Sequence, residues 1–165
     1  MPEKKWIFDS VVLSNFLLSD SEHILMKRYG SKGVIAVEVY DEIAAAVPAY
    51  PGLGRIRTLL DKGHFKLTAM SPKERKVFTG LTTQLGRGEA ASIALARNRG
   101  ATVCTDDRAA RNECARSGVA PTGTIGILKT ACTTRLITPA QADRILAAMI
   151  SNGFFSPVAG ISALL

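Results

Sequence analysis

The chain has 165 residues, a length that predicts one domain able to bury its own core, and 47% of them are hydrophobic against 21% charged, which excludes a disordered or fibrous protein. The formal charge is +7, which favours a polyanionic partner, and it is uneven: residues 1–42 sum to −2, residues 43–88 to +6 and residues 89–165 to +3. No apolar run reaches the ~18 residues of a membrane span, and Asp9 and Asn15 interrupt the one stretch that imitates a signal peptide, so a cytoplasmic location is expected.

In chain order, Trp6-Ile7-Phe8 is a short apolar run that suits a buried strand and stops at Asp9. Asp9 or Ser10 is then placed to cap a helix that carries Val11, Val12, Phe16 and Leu17. Ser21 and Glu22 open a second helix that runs to Tyr29 and ends at Gly30. Val34-Ile35-Ala36 reads as a strand. Val37–Val47 reads as a helix, with Ile35, Val39 and Ile43 at four-residue spacing on its core side and Pro48, Pro51 and Gly52 stopping it. A short basic helix over Leu53–Asp61 and a strand over Phe65–Thr68 follow.

Ser71-Pro72-Lys73-Glu74 is a capping box with proline at the first helical position, and its helix carries Val77, Phe78, Leu81 and Leu85. Gly86-Arg87-Gly88 breaks the chain. An alanine-rich helix over Glu89–Asn98 ends at Gly100, and Ala101–Thr105 reads as a strand. Asp106 or Asp107 opens the next helix, to about Ser117, and the last two helices fall at Gly123–Cys132 and Pro139–Ile150. Short strands alternating with helices predict an α/β fold with a mostly parallel sheet.

Ligands of such sheets sit beyond the carboxyl ends of the strands, where several acids fall. Asp9 ends the first strand, and Asp106 and Asp107 follow the strand Ala101–Thr105. Glu42 lies about a turn into the helix after the second strand, and Glu89 starts a helix. Each acid also has a structural role open to it, as a cap or a partner of a helix dipole. Convergence favours more than that, because gathered carboxylates repel and a cation relieves the repulsion. Oxygen donors without cysteine or histidine suit Mg²⁺ or Mn²⁺ rather than zinc. Glu38, Asp41 and Glu42 are equal candidates by spacing alone. Cys104, Cys114 and Cys132 are too widely spaced for a metal site and read as thiols, and His23 and His64 lack a partner at ligand spacing.

Gly86-Arg87-Gly88-Glu89-Ala90-Ala91 also fits a dinucleotide-binding fingerprint, with Asp106 about twenty residues on. That loop must follow a strand, whereas residues 71–85 read as a helix, so a nucleotide-binding α/β domain is the weaker alternative.

The ordered set Phe8–Leu13 with Asn15, Val39–Ile43, Gly88–Ala96, Thr105–Arg111, Gly123–Leu128 and the tail from Gly153-Phe154 resembles PIN-domain ribonucleases of the VapC-like toxin type, over nearly the whole chain. The resemblance implies a single PIN-like domain over residues 1–165, a three-layer sandwich with helices flanking the sheet. It implies a metal-dependent endoribonuclease, the toxin of a toxin–antitoxin pair, with Asp9, Glu42, Glu89 and Asp107 as the catalytic acids. Asp9, Glu89 and Asp107 would hold Mg²⁺ or Mn²⁺, with Asp106 a further ligand and Thr105 and Asn15 supporting them. It also implies a homodimer and a cognate antitoxin, for which Met26, Leu53, Leu59 and Leu60 are candidate contacts, although a place in the core explains them as well. Basic residues expected on the RNA-facing rim are Arg55, Arg57, Lys73, Arg75, Lys76 and Arg87, while Arg108 and Arg111 are expected to pair with nearby acids. Aromatic residues are only 6%, so no stacking platform for bases is evident. The other function class in play is a PIN-like module that binds RNA or a partner without cutting.

Overall fold

The structure, a computed structural model, describes residues 3–165. Five parallel strands form one sheet: β1 (Trp6–Phe8), β2 (Gly33–Ala36), β3 (Lys66–Thr68), β4 (Thr102–Cys104) and β5 (Pro121–Thr122), in the order β3-β2-β1-β4-β5. Helices α1 (Ser10–Leu18) and α2 (Glu22–Tyr29) connect β1 to β2. Helices α3 (Val37–Ala46) and α4 (Ile56–Asp61) connect β2 to β3. Helices α5 (Pro72–Leu81) and α6 (Arg87–Arg99) precede β4, α7 (Arg108–Ser117) precedes β5, and α8 (Thr124–Thr133) and α9 (Pro139–Ser151) follow it. The result is the expected α/β architecture, with an entirely parallel sheet flanked by helices.

The strand order reverses between β1 and β4. From β1 the chain builds outward to β3, then crosses back to β4 and builds the other way. A crevice opens at the carboxyl end of the sheet at such a reversal. The register pairs Phe8 with Cys104, so Asp9 and Thr105 leave the sheet side by side. The backbone N–H of Asp9 still donates to the Cys104 carbonyl at 2.9 Å.

The core is built from the apolar runs read in the sequence. Ile7, Phe8, Ile35, Ala36, Val103 and Cys104 are buried on the strands, and Val39 and Ile43 turn the core face of α3 inward. Phe8 packs against Tyr29 and Phe65 with ring centroids 5.1 and 5.2 Å apart. Leu53 and Leu59 are buried, and Met26 and Leu60 pack half-buried against the core. All three cysteines are free thiols in buried positions.

Several boundaries differ from the sequence reading. Helix α6 begins at Arg87 rather than Glu89, with Gly86 as its cap, so Gly88 lies inside the helix. The predicted basic helix divides into a 3-10 turn over Pro51–Arg55, which carries the poor helix formers Gly52 and Gly54, and the short α4. Strand β5 went unpredicted: it has two residues, one of them a proline confined to the sheet edge. Among the described residues, no helix is long and apolar enough to cross a membrane.

Candidate active site

Each candidate acid is tied to the start of a helix. Asp9 caps α1, accepting the Ser10 backbone N–H at 2.8 Å and the Thr105 hydroxyl at 3.0 Å. Glu89 stands in the first turn of α6 and accepts the Gly86 N–H at 3.3 Å. Asp107 caps α7, accepting the Ala110 N–H at 2.8 Å. Asp106 accepts the Thr124 N–H at the start of α8 at 2.8 Å and the Thr124 hydroxyl at 2.6 Å. Glu42 reaches out of α3 to the Gly88 N–H of α6 at 2.8 Å and to the Ser10 hydroxyl of α1 at 2.9 Å. Four helices thus aim their positive ends at this crevice, a field that favours negative charge.

Glu42 is therefore an acid that α3 delivers here, where spacing alone left Glu38, Asp41 and Glu42 open; Glu38 has a buried Oε1 with no hydrogen-bond partner among the described residues. Gly88 makes this possible by its size: a Cβ there would stand 2.7 Å from Glu42 Oε1.

Burial and like charge oppose ionisation in the crevice. Asp9 is buried, and its pKa is raised from 3.8 to about 7. Desolvation is the largest cause, and the Glu89 and Glu42 carboxylates add to it against the Ser10 and Thr105 hydrogen bonds. Glu89 is also raised, first by desolvation and then by Asp107, with a smaller contribution from Glu42. Asp9, Glu42, Glu89 and Asp107 thus act on one another electrostatically from four separate segments.

The supporting residues sit where their hydroxyls and amides matter. Thr105 is buried, donates to Asp9 and accepts the Asp107 N–H at 3.2 Å, so one hydroxyl couples two of the acids. Asn15 donates to Asp106 at 3.3 Å and to the Thr124 hydroxyl at 3.1 Å. Both Asp106 oxygens are engaged by these neutral donors, so Asp106 fastens α1 and α8 to the end of β4. By contrast, Glu89 Oε1 and Asp107 Oδ1 accept no hydrogen bond among the described residues.

Ser10 was read from the sequence only as an alternative cap to Asp9, and Thr124 only as part of the segment Gly123–Leu128; a hydroxyl at a helix start was the available signal for a role at the site.

Two expectations about arginines are corrected. Arg55 is no free rim cation: it pairs with Asp20, bonds Glu22 at 2.8 Å and donates to the Leu17 carbonyl, which staples the turn before α4 to α1 and α2. Arg108 and Arg111 form no ion pair among the described residues, and Arg111 instead donates to the Thr105 carbonyl at 3.1 Å. Arg57, Lys73, Arg75, Lys76 and Arg87 are exposed as expected. Arg87 opens α6 two residues before Glu89, with its guanidinium 5.2 Å from the Phe78 ring centroid.

The donor set fits a hard divalent cation: carboxylate oxygens only, one of them buried against neighbouring like charges. It is not a ready-made cage, since among the described residues no three His, Cys, Asp or Glu side chains form a group that could hold a metal ion as they stand. The glycine loop at Gly86 follows α5 rather than a strand, which removes the context that a dinucleotide fingerprint needs. A family model described as a PIN domain matches residues 5–165. No curated protein matches the chain.

Proposed function

The chain belongs to the PIN-domain family, a family generally of nucleases, and from that premise we propose that it is a metal-dependent endoribonuclease that hydrolyses RNA phosphodiester bonds. The observation that carries the reading is the meeting of Asp9, Glu42, Glu89 and Asp107 at the β1/β4 crevice, with burial holding Asp9 at a pKa of about 7.

Asp9, Glu89 and Asp107 would hold Mg²⁺ or Mn²⁺, with Glu42 completing the set. The cation would supply activation of water and neutralise charge on the transferring phosphoryl group. The chain's own residues do the positioning. Thr105 fixes the Asp9 carboxylate and the start of α7 with one hydroxyl. Ser10 and Gly88 fix Glu42 across two helix starts, where it can orient a water by accepting its hydrogen bond. Asp106 fastens Thr124 and Asn15 beside the set with its two oxygens and would be a further ligand. Exposed Arg57, Lys73, Arg75, Lys76 and Arg87 belong to the +6 segment between Glu42 and Glu89 and would attract the RNA backbone.

The resemblance extends this reading to the toxin of a toxin–antitoxin pair, cytoplasmic and homodimeric, silenced by a cognate antitoxin. Co-purification with the product of a neighbouring small reading frame tests that extension. The nuclease reading is tested by incubating oligoribonucleotides with the protein and Mg²⁺ or Mn²⁺. Wild type should cleave, while the Asp9→Asn and Glu89→Gln variants should not. Cleavage by both variants at the wild-type rate refutes the site, and RNA binding without cleavage under any divalent cation identifies a binding module instead.

A further inference from the structure

Phe155 is 97% exposed, far more than any other large hydrophobic side chain among the described residues. It is not on a loose tail. The Phe154 N–H donates to the Met149 carbonyl at 3.0 Å, and Asn152 reaches back to the Leu18 carbonyl at 3.0 Å. Gly153 turns the chain with φ +105°, where a side chain would be strained. Beyond the ring, the Ser156 hydroxyl donates to the Val158 carbonyl at 2.6 Å and accepts the Val158 N–H at 3.2 Å. The backbone is held on both sides of the ring, and the ring itself stands in water.

Two adjoining clefts, of about 440 and 450 Å³, share Asp106, Phe154 and Phe155 as walls. One holds Asp107 and Asn15, and the other holds Arg111. Phe155 therefore stands between a cleft walled by Asp106 and Asp107, the latter one of the four candidate acids, and a cleft with a cationic wall. A nucleotide strand has that alternation: a reacting phosphate, a flat base, and another phosphate.

We propose that Phe155 stacks an unpaired base of single-stranded RNA and so seats the adjoining phosphodiester over the carboxylates, with Arg111 facing the next phosphate. This rests on the nuclease reading above and names the side chain that would hold the unpaired base. A phenyl face accepts any base, so the contact gives strandedness and register rather than sequence preference. A protein partner fits less well. Only Val11 among the other exposed large hydrophobics lines these clefts, which falls short of the apolar patch that protein docking uses.

The test measures binding of the full chain, in EDTA to prevent cleavage, to a mixed-sequence single-stranded oligoribonucleotide and to an abasic ribose-phosphate strand of equal length. Phe155→Ala should weaken binding of the oligoribonucleotide by about 5- to 100-fold and leave the abasic strand unchanged. Phe155→Trp should retain affinity, and its new indole should be quenched by the oligoribonucleotide alone. Equal binding by wild type and Phe155→Ala overturns the proposal, as does an equal loss on the abasic strand. A Phe155→Ala variant that dissociates in sedimentation while binding RNA normally makes the ring a contact between copies of this chain, which also overturns it. Failure of wild type to bind or cleave RNA with Mn²⁺ present refutes the nuclease reading with it. Cleavage by wild type and Phe155→Ala at one rate refutes the stacking alone.

Discussion

Asp9→Asn should make the metal-free protein more stable at alkaline pH while destroying its activity. Burial and the neighbouring Glu89 and Glu42 raise the Asp9 pKa from 3.8 to about 7. Below about pH 4 the folded and unfolded chains both hold the proton, and Asp9 costs nothing. Between pH 4 and 7 the unfolded chain releases it and the folded chain keeps it, so stability falls as pH rises. Above pH 7 the whole penalty is present: about three pKa units at 1.36 kcal/mol each, or about 4 kcal/mol as a ceiling. The amide keeps an oxygen for the Ser10 N–H, and its NH₂ can donate to the Thr105 hydroxyl, a rearrangement that costs about 1 kcal/mol. The net gain is about 2–3 kcal/mol, which at roughly 2–4 °C per kcal/mol is a rise in Tm of about 4–12 °C. Thermal melts in EDTA at pH 8 and pH 4 check this, with the rise expected at pH 8 and absent at pH 4. Added Mn²⁺ should raise the wild-type Tm at pH 8 and leave that of the variant nearly unchanged. A variant that melts at or below wild type at both pH values refutes the claim that the fold holds Asp9 against its charge.

Glu74 gives the opposite dependence. Its buried carboxylate bonds Arg99 at 2.7 and 2.9 Å and Asn98 at 2.9 Å, and the Arg99 hydrogen bonds hold its pKa at about 2. That stability is present above pH 4.5 and is lost as pH falls towards 2. Because Arg99 is partly exposed, Glu74→Gln should cost about 2 kcal/mol in urea unfolding at pH 7 and little near pH 2. Gly88→Ala should leave Tm within a few degrees, since the flexible Glu42 side chain yields, yet lower RNA cleavage at least tenfold because the Glu42 carboxylate is displaced. Thr105→Val removes the hydroxyl that couples Asp9 to the Asp107 N–H. It should cost about 1–3 kcal/mol in denaturant melts and weaken Mn²⁺ binding about 10- to 100-fold in calorimetry.

The parts of the molecule that depend on local pattern were legible in the sequence. Apolar runs stopped by Asp9 and by Asp106-Asp107 mark β1 and β4, and the ligand crevice of a parallel sheet follows from strand ends. The Val39 and Ile43 spacing orients α3, although Ile35, read with them, belongs to β2; that orientation places Glu42 within reach of two helix starts. Elements settled by distant contacts were not legible. Two residues of β5 carry no periodicity, and only the neighbouring β4 makes them a strand. Arg55 reads as an exposed basic residue until Asp20 and Glu22 close on it. Glu74 reads as half of a capping box, and its burial under Arg99 comes from the packing of α5 on α6. An aromatic content of 6% argued against a stacking platform, but composition is silent about one exposed ring beside Asp106 and Asp107.

The central claim is that carboxylates from four segments form one metal-dependent hydrolytic site. Its most direct test is the rate of single-stranded oligoribonucleotide cleavage by wild type, Asp9→Asn and Glu89→Gln, each with Mn²⁺ and with excess EDTA. The account predicts cleavage by wild type with Mn²⁺, none with EDTA, and a loss of at least a hundredfold in each variant although both remain folded. Wild-type cleavage that persists in EDTA, or variants that cleave as fast as wild type, would contradict it.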